Sequence, residues 1–392
     1  MRVLQLYNDY RSHQGGEETV VRGINAIFEH RGVKARLVTR SSKGIEGRVT
    51  AKAHAFFSGI YSWSARRDIG EELRSFRPDI VHAHNLYPWF SPSVLSECRR
   101  AGVPVVVTVH NFGLTCPHWS HIRRGEECTR CLGGREYWCV LRNCRESVFE
   151  SVDYALRSTV ARRLRLFHDN VTMFVALTQF ARQWLAAAGF DPDRIALLPN
   201  MVPILETPSD AGKGTYAGFV GRLSHEKGGG LLIEAAAQAP EVPIHLAGDG
   251  PMKLAWSAGT PPNVTFRGLL ARKEIARFYR LARFMVVPSA RFDMCPMVIL
   301  EAMGHGLPVI TSRAGGLPEL VEDEVTGLLF NPGDAEDLAR KMRGLWADPD
   351  RCAAMGQAAR ERAGREFSED TYFHRLMAIY ERAITLNAEN LQ

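Results

Sequence analysis

At 392 residues the chain exceeds the roughly 250–300 that one hydrophobic core sustains, so two domains are expected, and 45% hydrophobic with 23% charged residues excludes a largely disordered chain. No run of about 18 apolar residues occurs, which excludes a transmembrane helix, and the apolar stretch at residues 3–7 is too short for a secretion signal, so a cytoplasmic protein is expected. The net charge of +6 divides into +9 over residues 1–200 and −3 over the rest; the basic half suits an anionic lipid, an anionic acceptor or a solvated arginine-rich surface, and no nucleic-acid-binding motif accompanies it.

Residues 3–7 read as a short buried parallel strand. A loop with Gln14, Gly15, Gly16 and Glu17 follows, and residues 17–30 then carry Val20, Val21, Ile24, Ile27 and Phe28 at helical spacing before Gly32. Further strands are expected at 36–39, 79–84, 103–109, 174–177 and 195–198, and helices at 66–76, 92–101, 151–168 and 179–188. Residues 113–150 have no period and read as an irregular insertion. Pro199, Pro203, Pro208, Gly212 and Gly214 mark a linker. A second alternation then begins, with strands at 216–220, 243–247, 264–266, 284–287 and 308–311 and helices at 228–238, 271–281 and 296–304. Helices near 334–347, 350–364 and 369–387 close the chain. This predicts two Rossmann-like, doubly wound α/β domains, 1–202 and 213–368, with a ligand cleft between them.

Five of the eight cysteines fall within the insertion. Cys128 and Cys131 form a Cys-x-x-Cys half-site, and Cys116 with Cys144 would complete a closed structural zinc site. Free thiols and a disulfide remain open as alternatives.

Two segments carry the chemistry. Gly221-Arg222-Leu223-Ser224-His225-Glu226-Lys227-Gly228 follows a strand and opens a helix, whose N–H groups and positive dipole end suit phosphate. Arg222 and Lys227 add two cations for a diphosphate leaving group; taken alone, they equally fit a solvated loop. In the second segment, residues 288–303, Asp293 ends a loop and Pro296 opens a helix, with Met297 and Val298 in its first turn and Glu301 amid an apolar run. A buried carboxylate needs partners, and paired ribose hydroxyls would supply them.

Together these segments resemble glycosyltransferase family four, whose fold is GT-B. The resemblance rests on Gly-Arg-Leu-x-x-x-Lys-Gly at 221–228 and on an acidic pair, Asp293 and Glu301, with seven residues between. Ala247-Gly248-Asp249-Gly250-Pro251, Pro262-Asn263 running on to Gly268, Gly315-Gly316-Leu317-Pro318-Glu319 and Pro199-Asn200 also match in order. It implies a retaining enzyme that moves a sugar from a UDP- or GDP-sugar to a glycan, polysaccharide or lipid-linked acceptor by front-side attack, without a metal in catalysis. It also implies domain closure over the donor and a C-terminal helix, 369–392, that packs back toward the first domain.

By the same resemblance Arg222 and Lys227 bind the donor diphosphate and Glu301 the ribose. Asp293, where the family usually has Glu, meets the donor sugar. Gly221, Pro296, Met297 and Val298 line the pyrophosphate and nucleoside region, and Gly268 and Leu269 lie near the base. In the first domain, Gly15 and Gly16 match a glycine-rich donor loop and His110 lies beside the donor sugar. His84 and Asn85 are weaker acceptor-side candidates. Some family members carry a similar cysteine-bearing insertion. Asp293 is one methylene shorter than Glu, a reach about 1.5 Å less, which also admits a non-catalytic nucleotide-sugar-binding subunit. A dinucleotide-dependent oxidoreductase is the remaining alternative, although no Gly-x-Gly-x-x-Gly follows the first strand. The segment Ala161-Arg162-Arg163-Leu164-Arg165-Leu166-Phe167 reads as a peripheral-membrane helix, its arginines meeting headgroups while Leu164, Leu166 and Phe167 insert, or as a plain solvated helix.

Overall fold

The computed structural model describes residues 1–9, 15–42, 49–123, 126–289 and 293–390, with backbone alone at 49–53 and 390. Gln14 of the glycine-rich loop and Ala290, Arg291 and Phe292 of the second chemical segment lie outside the described residues. The chain divides into two units: Met1–Arg123 with Cys128–Leu198 and Phe373–Gln392, and Arg124–Glu127 with Pro199–Tyr372.

The first unit is built on β1 (Arg2–Asp9), β2 (Lys34–Ser41), β3 (Ile80–Ala83), β4 (Val105–Val109), β5 (Met173–Ala176) and β6 (Ile195–Leu197). All its pairings are parallel, in the order β2-β1-β3-β4-β5-β6. Parallel strands covered on both faces become continuous apolar runs. Accordingly β3, β4 and β5 are buried at every position, while β2 at the edge alternates in exposure. The helices are α1 (Gly16–His30), α2 (Val49–Ile60), α3 (Trp63–Phe76), α4 (Leu95–Arg100), α5 (Tyr137–Leu141), α6 (Val148–Arg163) and α7 (Gln179–Ala187). α1 buries the stripe Val20, Val21, Ile24, Ile27 and Phe28, and hydroxyls of Ser62, Ser147 and Thr178 cap α3, α6 and α7.

The second unit carries β7 (Tyr216–Val220), β8 (Ile244–Ala247), β9 (Val264–Gly268), β10 (Ala282–Val287), β11 (Val309–Ser312) and β12 (Gly327–Phe330). Its helices are α8 (Gly229–Gln238), α9 (Lys253–Ser257), α10 (Arg272–Leu281), α11 (Met297–Gly304), α12 (Leu317–Leu320), α13 (Ala335–Trp346) and α14 (Pro349–Arg362). The strands are again all parallel, ordered β9-β8-β7-β10-β11-β12. Counted within the unit this is 3-2-1-4-5-6, the Rossmann order, and direction of travel reverses between β7 and β10.

The last helix, α15 (Glu369–Asn390), belongs to the first unit from Phe373 onward. There Tyr380 is fully buried, its hydroxyl 2.7 Å from His82 Nδ1, and Asn387 Nδ2 donates to Gly102 O at 2.9 Å. No helix among the described residues is long and apolar enough to cross a membrane.

The two α/β series therefore stand as expected, and the differences lie in β12 and in several helices, of which α5, α9 and α12 are too short to show a period. β12 escaped the sequence reading because four residues opening on Gly327 are too few to show a period. α2 escaped because its apolar residues fall on no single strong stripe. The expected helix at 151–168 starts earlier, at Val148, and ends at Arg163, where the backbone closes into turns.

Candidate functional site

Open α/β sheets bind ligands beyond the carboxyl ends of their strands, at the point where strand order reverses. In the second unit that point lies past β7 and β10. β7 is followed by the Gly221–Gly228 segment and β10 by the segment that reaches Asp293, so the sheet topology brings the two chemical segments together.

Backbone contacts hold the first loop. Gly221 N donates to Ala247 O at 3.0 Å and Leu223 N to Asp249 O at 2.9 Å. Two glycines are required for close approach. Gly248 has φ +143°, and a Cβ there would lie 1.9 Å from Gly221 O. Gly228 has φ +73°, and its Cβ would lie 1.8 Å from Pro288 O. Only glycine allows the two loops to touch at these positions. Asn263 Nδ2 donates to the carbonyls of Ala236, Ala239 and Val242 at 2.9–3.1 Å, tying the end of α8 to the start of β9. Gly316 N donates to Asp293 O at 2.9 Å, and Asn200 Nδ2 to Cys295 O at 3.2 Å. The remaining motif residues thus act as scaffolding for the two loops.

Lys227 Nζ lies 2.5 Å from Asp293 Oδ2, and Ser289 Oγ donates to the same oxygen at 3.2 Å. The short Asp293 side chain therefore reaches its cation. Burial acts to lower the Lys227 pKa, but the Asp293 carboxylate and then Glu226 outweigh it, so the ammonium is held above its ordinary value. Arg222 is exposed and forms no ion pair among the described residues. It stands ready for an anion.

α11 begins after Pro296 with no side-chain cap, so its first N–H groups, at the buried Met297 and half-buried Val298, are not satisfied from within the helix. Glu301 follows about one turn later, partly buried. Its Oε2 accepts from Tyr279 OH at 2.6 Å. Burial raises the Glu301 pKa, and the Tyr279 hydrogen bond offsets part of the rise. Gly268 closes β9 with φ +68° and Leu269 after it is 60% exposed. Tyr279 was not legible beforehand, because a lone tyrosine on an apolar helix face reads as core.

In the first unit His110 follows β4, and His84 with Asn85 follows β3. His84 Nδ1 and His110 Nε2 lie 3.1 Å apart, and His82 Nε2 lies 2.8 Å from Thr108 Oγ1. Burial pushes His110 and His82 down to about 3, and His84 is lowered by burial and by both neighbours. All three rings are neutral near pH 7. His84 Nε2 is buried with no hydrogen-bond partner among the described residues, and it lines an open depression of about 450 Å³ with His110, Tyr87 and Trp119. Asn85 lines the same depression and also ties β3 to β1: its amide donates to Asn8 O at 3.0 Å and its carbonyl accepts from Tyr87 N at 3.1 Å. Gly15 has an ordinary φ of −96°, and among the described residues a Cβ there would meet nothing within 4 Å. Gly16 is the first residue of α1.

The cysteine-bearing insertion and the helix after it bear on two further expectations. Cys131 lies within electrostatic reach of Cys116, Cys128 and Cys144, and packs with Cys139, which the spacing argument left out. Among the described residues no three His, Cys, Asp or Glu side chains are arranged as a metal site. Cys131, Cys139 and Cys144 pack as small apolar groups with Trp138, Val140 and Ala155. The Cys144 pKa is lowered by a hydrogen bond from Cys139 and by Arg123 and Arg142 nearby. The expectation for residues 161–167 is corrected. Leu166 and Phe167 are buried, Arg162 pairs with Glu136 at 2.6 Å and Arg165 with Asp169 at 2.8 Å, which leaves Leu164 as the exposed apolar group. An insertion face is not available there.

Comparison with known proteins is consistent across the chain. The family profile "Glycosyltransferase Family 4" matches residues 14–204 and "Glycosyl transferases group 1" matches residues 206–362. The chain is 32% identical to a D-inositol 3-phosphate glycosyltransferase of Mycobacterium sp. (strain KMS), over 84% of this chain and 71% of that protein. It is 29% identical to the sulfoquinovosyl transferase of Arabidopsis thaliana, over 74% of this chain but spanning only 54% of the plant protein. Among solved structures, Anabaena HepE in complex with UDP superposes with a TM-score of 0.65 at 19% identity, covering 97% of this chain and 100% of that one, a likeness of GT-B fold. With its two Rossmann-like units and these matches along both, the chain belongs to glycosyltransferase family four and is a glycosyltransferase.

Proposed function

We propose that the protein transfers a hexose-type sugar from a UDP- or GDP-sugar, with retention of configuration, to a hydroxyl of a glycan, polysaccharide or lipid-linked acceptor. The observation that carries this reading is the strand-order reversal of the second sheet, past which β7 leads into the loop of Arg222 and Lys227 and β10 toward the uncapped start of α11, with Lys227 Nζ 2.5 Å from Asp293 Oδ2. Three sources of positive charge carried beyond those strands suit a nucleoside diphosphate, whose charge grows as the sugar leaves. Glu301 lies a turn further along α11, at the distance of a ribose. Asp293, oriented by Lys227 and Ser289, would meet hydroxyls of the donor sugar. HepE, described in complex with UDP and with UDP-glucose, supports a uridine donor by analogy. The acceptor hydroxyl would attack from the leaving-group side, so catalysis rests on positioning and on phosphate stabilisation.

A thermal-shift screen with UDP-, GDP- and ADP-sugars tests the reading. A UDP- or GDP-sugar at about 100 times its Kd adds about 2.7 kcal/mol of stability, and the donor that binds is then hydrolysed or transferred by the isolated protein. If no nucleotide sugar stabilises it, the reading falls. If one binds without turnover, the protein is a nucleotide-sugar-binding subunit.

We also propose that the first unit rests on an anionic membrane surface through α6 rather than through residues 161–167. Val148, Val152 and Leu156 recur at i, i+4 and i+8 and with Phe149 are 62%, 38%, 38% and 54% exposed in that order, on a half-chain that carries +9. Replacing Phe149 and Val152 together by Asp is expected to abolish co-sedimentation with phosphatidylglycerol vesicles. Unchanged co-sedimentation overturns the proposal.

A further inference from the structure

We infer that Tyr279 is a positioning residue for the donor ribose: it holds Glu301 by Oε2 so that Oε1 is presented to the ribose hydroxyls. This assignment rests on the donor reading above. Tyr279 projects from α10 and is 1% exposed. Its ring stacks on His305 at 4.8 Å between centroids and 23° between planes, which fixes where the hydroxyl points. That hydroxyl donates to Glu301 Oε2 at 2.6 Å, and no hydrogen bond to Oε1 is formed among the described residues.

A carboxylate on a helix has two soft torsions, and one charge-assisted hydrogen bond from a clamped ring removes most of that freedom before a ligand arrives. Among the described residues the group acting on Glu301 is Tyr279, and the His305 ring stacked on it is kept neutral by burial and by Arg280, which lower it to about 4. Among the described residues Tyr279 is the one group that favours the charged form of Glu301. Ribose hydroxyls donate to the carboxylate, so donor affinity falls as pH drops through the raised Glu301 pKa. Removing the phenol raises that pKa further and moves the loss to higher pH.

The test measures binding of UDP, GDP and ADP and of their 2′,3′-dideoxy counterparts by titration calorimetry between pH 5 and 8. Tyr279→Phe is expected to weaken the ribonucleotide that wild type binds by about tenfold. It should leave the dideoxy counterpart unchanged and shift the acid limb of binding to higher pH. Equal weakening of both nucleotides, or an unmoved acid limb, makes Tyr279 merely structural and overturns the inference. If Tyr279→Phe does not fold, His305→Leu, which unstacks the ring without touching Glu301, must reproduce the selective loss. Glu301→Gln separates the two claims. If it keeps wild-type discrimination between ribo- and dideoxynucleotide, the donor reading itself is wrong. If it loses discrimination while Tyr279→Phe keeps it, only the role of Tyr279 fails.

Discussion

Lys227→Ala will lower turnover on the nucleotide-sugar donor by on the order of 10²–10³-fold, the usual loss when one preorganised charge facing a developing anion is removed. The reason is local. Lys227 is partly buried and already oriented at 2.5 Å from Asp293, so its charge is in place before the phosphate charge develops. The loss should fall equally on kcat and kcat/KM, because a group that acts on the growing leaving-group charge matters more in the transition state than in the ground state. Lys227→Arg should recover only part of it, since a planar guanidinium does not reproduce a compact ammonium between Asp293 and a diphosphate. Folding should change little: the pair is partly exposed and worth no more than about 1 kcal/mol. Steady-state kinetics with the donor identified by thermal shift provide the check. Turnover within threefold of wild type for Lys227→Ala would remove Lys227 from the catalytic machinery.

The largest expected effect on stability is Gly228→Ala. Its backbone sits at φ +73°, where an alanine costs about 1–2 kcal/mol, and the new Cβ would lie 1.8 Å from Pro288 O, an overlap that backbone movement relieves for about another 1–3 kcal/mol. The sum of about 2–5 kcal/mol lowers Tm by roughly 5–15 °C for a unit of this size. Activity should fall with it, since the loops that carry Lys227 and Asp293 are pushed apart. Gly15→Ala is the matched control: φ is ordinary, no described residue lies within 4 Å of the added carbon, and Tm should stay within about 3 °C of wild type, the small loss reflecting alanine as a poorer N-cap than glycine. Differential scanning calorimetry of both variants decides it. A Gly228→Ala protein that melts with wild type would mean the two loops do not need their close contact.

How much was legible beforehand differs between the fold and the site. The alternation of short apolar runs with helical stripes predicted every strand of the two six-stranded sheets but β12, because strands buried on both faces are written as continuous Val, Ile and Leu. The motif order located Arg222, Lys227, Asp293 and Glu301. What those residues touch was not readable. The Asp293 departure looked like lost reach, but its reach is set by Gly228, which brings the two loops together. Asn85 followed a strand, and nothing local recorded that its amide is used at both ends within the first unit. The cysteine spacing suggested a closed metal site, and spacing alone does not say whether four sulfurs converge.

Residue order and periodicity were enough to establish two parallel-sheet units and the family, because both depend on local patterns that repeat along the chain. Side-chain pairing was decided by the tertiary structure. Lys227 and Asp293 are separated by 66 positions and Tyr279 and Glu301 by 22. Such pairs meet only after parallel crossover has set β10 beside β7 and α11 against α10, and no local pattern records the outcome.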